Sequence, residues 1–228
     1  NDANVQGIED INDQCGLDFG PRVVIQNNGD NPLTSVEFEY SVNSGTSATY
    51  TWTGNIESYQ VETVQLPGIP YTIQSSNTVN VSIVNDDDNS NNDASNNFGE
   101  TDATSTNYLT LIFNTDDYGS DSTWSVKDPS GTVIYSGGPY DNNTSINESI
   151  NLEEGGCHEF RIVDAGGNGS GSVVLYDSEN TVIYSTPGDY GSGVGVSFIS
   201  DGVLGTNDDV FNNLVIYPNP ASSTLNID

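Results

Sequence analysis

Positive charge is almost missing from this sequence. Of 228 residues only three are Lys or Arg (Arg22, Lys127 and Arg161), against 33 Asp and Glu, which leaves a formal net charge of −30. Three cations cannot build a phosphate-neutralising surface, so direct nucleic-acid binding is excluded. The same field repels anionic membranes and sulfated polymers unless a metal ion bridges the contact. Histidine occurs once, at His158, beside Cys157. Neighbours on a strand point to opposite faces, so these two cannot pair there as base and nucleophile. A Ser–His–acid triad would need the same His158, and zinc wants several His or Cys ligands. His158 therefore reads as structural or surface. Methionine is absent and the sequence opens on Asn1, so a mature fragment is expected, with any signal peptide out of view. No apolar run reaches the ~18 residues of a membrane span, and membrane insertion is not expected.

Apolar and aromatic residues are nevertheless present in force. The 12 Tyr, 7 Phe and 2 Trp separate this chain from disordered acidic tails. Abundant Asn, Ser, Thr, Gly and Tyr with almost no Lys fits an extracellular bacterial surface protein. Cys15 and Cys157 are either one disulfide or two buried thiols. A bond would tie the two halves of the chain together.

Apolar residues alternate with a period of two. Val36, Phe38, Tyr40 and Val42 are separated by Glu37, Glu39 and Ser41, the pattern of a half-buried strand. Asn43-Ser44-Gly45 supplies a turn before Tyr50 and Trp52. Further strands are expected at Arg22 to Gln26, around Val61, Val64 and Leu66, and at Val79, Val81 and Ile83. The pattern resumes at Leu109, Leu111 and Phe113, then at Trp124 and Val126, and again at Phe160 and Ile162. No segment carries a helical period. The expectation is an all-β chain of two tandem antiparallel sandwiches, the first Ig-like and the second jelly-roll-like. The second half also echoes itself: Asp128-Pro129-Ser130-Gly131 precedes Thr132-Val133-Ile134-Tyr135-Ser136, and Asp177-Ser178-Glu179-Asn180 precedes Thr181-Val182-Ile183-Tyr184-Ser185. Two copies predict matching hairpins in one sandwich rather than a solenoid.

Several groups of residues resemble known modules of secreted bacterial proteins. Cys15-Gly16, Pro21 to Ile25, Asn28-Gly29, Leu33 to Val36, Tyr50 to Gly54, Val64 to Pro67 and Asn92-Asp93 resemble a cell-adhesion-related Ig-like domain of the CARDB type. Thr115-Asp116, Thr123-Trp124, Tyr135 to Tyr140 and Gly156-Cys157 resemble a β-sandwich module that often follows it. In that module a loop of the form Asp-x-x-Gly-Asp-Gly comes next; here Asp164 to Gly169 matches, with Asn168 replacing the second Asp. Val215-Ile216-Tyr217-Pro218-Asn219-Pro220-Ala221 and Leu225-Asn226-Ile227 resemble the opening of a type IX secretion C-terminal sorting domain. These resemblances imply an Ig-like domain at 1–104, a second sandwich at 105–200, a linker at 201–209 and a sorting segment at 210–228. They imply passage through the type IX secretion machinery to the outer surface of a Gram-negative cell, or release from it. They also imply a catalytic domain elsewhere in the parent protein, a metallopeptidase or a polysaccharide-degrading enzyme. Asp121-Ser122-Thr123 resembles a short O-glycosylation acceptor motif of such proteins.

Calcium is the sharpest chemical expectation, since it takes several oxygen ligands from carboxylates, amides and carbonyls. Asp116, Asp117 and Asp121, joined by Asp164 and Asn168, form the preferred candidate set. Asp116 follows a strand, and the glycine-rich loops let carbonyls approach an ion closely. Asp86, Asp88 and Asp93 form a second choice. Neither set has EF-hand spacing, and each is otherwise a solvated acidic loop. Tyr118, Tyr140 and Tyr190 lie in Gly/Asp-rich loops, where exposed rings stack on sugars; otherwise they cover sandwich edges. Trp52 and Trp124 sit in strand registers and read as core. The function expected is a non-catalytic binding and spacer region directed at a polysaccharide or an extracellular protein. The alternatives are a carboxylate-based glycan-degrading enzyme and a purely structural stalk.

Overall fold

A computed structural model describes residues 2–84 and 86–201, together with the backbone of Ile216–Tyr217 paired antiparallel to Asn226–Ile227. The expected linker at 201–209, beyond Asp201, and the rest of the expected sorting segment at 210–228 lie outside the described residues.

Seven strands build the first sandwich: β1 (Ala3–Glu9), β2 (Arg22–Asn27), β3 (Leu33–Val42), β4 (Ala48–Ile56), β5 (Val61–Gln65), β6 (Ser76–Ile83) and β7 (Asp93–Gly99). They form two antiparallel sheets of order β1-β2-β5 and β4-β3-β6-β7. The alternation in β3 has its physical cause in the pleat: Val36, Phe38, Tyr40 and Val42 point inward and are buried, while Glu37 and Glu39 face water. Asn43 and Ser44 close that strand in left-handed backbone, at φ 53° and 55°. Val23, Ile25, Phe38, Val79 and Trp52 meet between the sheets, and each such side chain contributes about 1.5–3 kcal/mol on burial.

The second sandwich begins where the first ends. β8 (Thr104–Ser105), β9 (Tyr108–Asn114), β10 (Ser122–Lys127), β11 (Val133–Gly137), β12 (Ser145–Asn151), β13 (Gly156–Asp164), β14 (Val173–Asp177), β15 (Val182–Thr186) and β16 (Gly193–Ser200) form sheets of order β11-β10-β13-β16-β8 and β12-β9-β14-β15. All pairings are antiparallel except that of β16 with β8. Phe113, Trp124, Phe160, Leu175 and Phe198 fill the space between them. The two-sandwich, all-β expectation therefore holds.

The internal echo is a repeated hairpin. The Asp128 carboxylate accepts from the Ser130 and Thr132 amides, both at 2.9 Å. The Asp177 carboxylate accepts from Glu179 at 3.0 Å and Thr181 at 2.8 Å. The residue closing each turn, Gly131 or Asn180, takes the positive φ the turn demands. A register shift follows at the same point of each hairpin, at Val126/Lys127 and Leu175/Tyr176. The copies lie in different sheets, as β10–β11 and β14–β15.

The modules are fastened along one seam. Cys15 is disulfide-bonded to Cys157, with Cα atoms 5.4 Å apart. The Arg161 guanidinium donates to the Asp10 carboxylate at 2.8 and 2.9 Å. Asn12 donates to the Gly195 carbonyl at 2.8 Å, and the Ser197 hydroxyl donates to Gln14 at 3.0 Å. Arg22 donates to the Gly193 carbonyl at 2.9 Å and to the Ser192 hydroxyl. Segment 10–15 thus lies along β13 and β16, with polar pairs running from the disulfide toward Gly193.

Candidate functional site

The end of the second sandwich where β10 starts and β13 stops holds the most concentrated chemistry. Ser122 opens β10 directly opposite Asp164, the last residue of β13, so their side chains share the inner face. Asp164 is 2% exposed. Beyond it the loop folds back onto the carboxylate, whose Oδ2 accepts from the Asn168 amide at 3.1 Å and the Gly169 amide at 3.2 Å. The Ala165 amide donates to the Asp121 carbonyl at 2.9 Å, which draws in the short turn Gly119–Asp121.

These bonds converge three oxygens on one point. A Cβ placed on Gly166 would lie 2.9 Å from Asn168 Oδ1, 3.1 Å from Asp121 Oδ2 and 3.4 Å from Asp164 Oδ2. Two carboxylate oxygens and an amide oxygen thus lie around the Gly166 α-carbon, and such oxygens are the ligands a hard cation takes. Two carboxylates crowded together repel each other, and a cation relieves that. The fully buried Ser122 and the buried Tyr190 hydroxyl lie against each other at this end, with Ser170 also beside Tyr190. Burial pushes the Tyr190 hydroxyl up to about 12, and the Asp164 charge adds to that. Among the described residues no group of three or more His, Cys, Asp or Glu side chains is arranged for a metal. An ion here would complete its shell with backbone carbonyls and water.

The remaining predicted ligands are engaged elsewhere. Asp116 accepts from the Tyr118 amide at 2.8 Å and the Ser170 hydroxyl at 3.5 Å, and Asp117 accepts from the Asn143 side chain at 2.8 Å. In the second-choice loop, Asp86 accepts from the Ala3 amide at 2.7 Å, and Asp93 accepts from the Ser82 hydroxyl. Asp88 caps a short turn, and the Ser90 hydroxyl and amide hold its carboxyl below the usual range. Asn92 is buried there, with its Nδ2 on Asp86 and its Oδ1 unpartnered.

The three candidate tyrosines divide. Tyr118 is 64% exposed. Tyr140 packs edge-on against Phe113 and accepts from Trp124 Nε1 at 2.7 Å, while Tyr190 packs against the core. They form no common exposed platform, because two of the rings cover the open end of the sandwich. Ser122 of the glycosylation-like motif is enclosed and offers no accessible hydroxyl. His158 is structural: it is buried, stacks on Phe198 and shares Nδ1 with the Gly156 carbonyl at 2.9 Å, and burial lowers its pKa. The role of Ser122 and Tyr190 beside Asp164 was invisible in sequence, because it depends on the β10–β13 register.

No protein-family model matches the sequence, and no curated protein matches it. Solved structures similar to it include CBD12 from CALX1.2, at 11% identity and TM-score 0.26, covering 86% of this chain and 99% of that one. Another is the BSP domain of a biofilm-associated protein, at 14% identity and TM-score 0.27, covering 88% of this chain and 30% of that one. Likenesses this distant carry no argument, and the fold rests on the chain's own strand pairing. Among the described residues no helix is long and apolar enough to cross a membrane.

Proposed function

We propose that this chain is a non-catalytic binding and spacer region of a secreted or surface bacterial protein, with a calcium-ordered loop end on its second sandwich. The observation that carries the reading is the convergence of Asp121, Asp164 and Asn168 around Gly166, beside the enclosed Ser122. Calcium there fixes the 164–169 loop against the 119–121 turn. That presents Tyr118 and the neighbouring acidic loops in one arrangement to a polysaccharide or an extracellular protein. The seam of disulfide and ion pair supports the spacer part, since it fastens the two modules to each other. The CARDB-like and sorting-domain-like motifs support export through the type IX machinery and targeting of a catalytic domain elsewhere in the parent protein. The test is a polysaccharide and glycan-array pull-down with and without calcium. At least one ligand retained only with calcium, and lost in Tyr118→Ala, is expected; an array on which no ligand depends on calcium overturns the proposal.

A further inference from the structure

The chain's three cations are far apart in sequence, yet they all line one groove. Arg22, Lys127 and Arg161 lie in the cleft between the two modules, a space of about 520 Å³ also bordered by Asp18, Thr63, Gln65, Leu66, Glu159 and Ser192. The seam uses part of this charge. Arg161 is neutralised by Asp10, and Lys127 by Glu159 at 3.1 Å. Arg22 is different: among the described residues it has no carboxylate partner, and it donates only to a hydroxyl and a carbonyl. A guanidinium carries five N–H donors, and Arg22, which borders the groove, uses two of them in these bonds. Lys127 likewise has protons to spare beyond its bond to Glu159.

We propose that this groove binds a carboxylate-bearing saccharide, a uronate oligosaccharide, with the sugar carboxylate on Arg22 and Lys127. Elsewhere a net charge of −30 repels an anion. Here the local charge is close to balanced, and Arg22, which shares the charge of Asp10 with Arg161, makes no close ion pair of its own among the described residues. Asp18 and Glu159 border the same space and accept hydrogen bonds from hydroxyls. A ligand with one carboxylate and several hydroxyls per unit matches that mixture. A phosphate monoester brings nearly two charges per group, more than one guanidinium balances. No aromatic ring borders the groove, so recognition there is by charge and hydrogen bonds rather than by stacking. The volume is within the ~300–1,000 Å³ of small-ligand sites. The groove meets the Asp164 loop at Val163 and at Ser192, whose carbonyl accepts from the Asp164 amide at 3.1 Å, but none of Asp121, Asp164 and Asn168 borders it.

The experiment is an amide-shift titration of the full chain in EDTA with trigalacturonate, with a neutral trisaccharide and an acidic Asp/Glu peptide as separate arms. Trigalacturonate is expected to shift the amides of Gln65, Val163 and Ser192. Arg22→Gln, with its melting temperature checked, is expected to weaken binding by about tenfold, the scale of one charge-assisted bond. Lys127→Gln, whose ammonium is already paired with Glu159, is expected to weaken it severalfold. The absence of shifts at those amides overturns the proposal. So does equal binding of the neutral sugar, or binding unchanged in both variants. Equal or tighter binding of the acidic peptide overturns the saccharide assignment. Because calcium is absent throughout, failure here leaves the loop reading standing, and failure of that reading leaves this one.

Discussion

Replacing Arg161 by Met breaks the seam while keeping the length and apolar volume of the side chain. Asp10 is then left enclosed, with only 4% of its side chain exposed and without its counter-ion. Removing one partner of a buried pair costs roughly 3–5 kcal/mol. The cost here is set lower, at about 2–4 kcal/mol, because Arg161 is itself 21% exposed and Asp10 keeps the Gly195 amide and the Asn12 side chain. The pH dependence is the sharper signature. Burial already raises the Asp10 carboxyl above its ordinary value, with Arg161 acting the other way; without Arg161 it rises further. An acid with a raised pKa in the folded state binds its proton before the unfolded chain does. Between that raised value and the ordinary 3.8, lowering the pH favours the folded form. The stability gap between wild type and Arg161→Met should therefore shrink from neutral pH to about 1 kcal/mol near pH 4. Urea unfolding across pH reads this, with Trp52 reporting the first module and Trp124 the second. A gap of zero at neutral pH, or one that widens as pH falls, refutes the assignment of Asp10 and Arg161 as a load shared across the seam.

Three further outcomes are expected. Replacing both Cys15 and Cys157 by Ser opens a crosslink spanning 142 residues, for which chain entropy gives up to about 5 kcal/mol; the Trp52 and Trp124 transitions, coincident in the bonded protein, should separate in denaturant. Gly166→Ala puts a methyl among three oxygens on flexible side chains and requires no positive φ, so the calcium-free melting temperature should change little, while any calcium-induced rise is lost. Tyr140→Phe removes the acceptor of Trp124 Nε1 at 2.7 Å and should cost about 1–2 kcal/mol by thermal unfolding.

Much of the architecture was legible because strand alternation is local. The buried Val36, Phe38, Tyr40 and Val42 and the matched turns at Asp128 and Asp177 follow from spacing alone. β1 (Ala3–Glu9) was not foreseen: Ala3-Asn4-Val5-Gln6-Gly7 offers only two clear apolar positions, and the strand exists because β2 pairs with it. The site was half legible. Asp121, Asp164 and Asn168 belong to one expected set and come together, but Asp116 and Asp117 have backbone and Asn143 donors close by, which composition cannot reveal. Tyr140 and Tyr190 looked like exposed loop rings, and only the closing of the sandwich end shows why they turn inward. The gathering of Arg22, Lys127 and Arg161 is wholly tertiary, since it requires docking of the two modules.

The central claim concerns the loop at Asp164, and a calcium titration followed by amide shifts tests it most directly. The account predicts saturable shifts at Ala165 to Gly169 and at Asp121, with affinity in the roughly 10⁻⁴–10⁻³ M range of extracellular modules, and a loss of at least about tenfold in Asp164→Asn. No shift at those amides up to about 10 mM calcium, or identical titrations of wild type and Asp164→Asn, contradicts it.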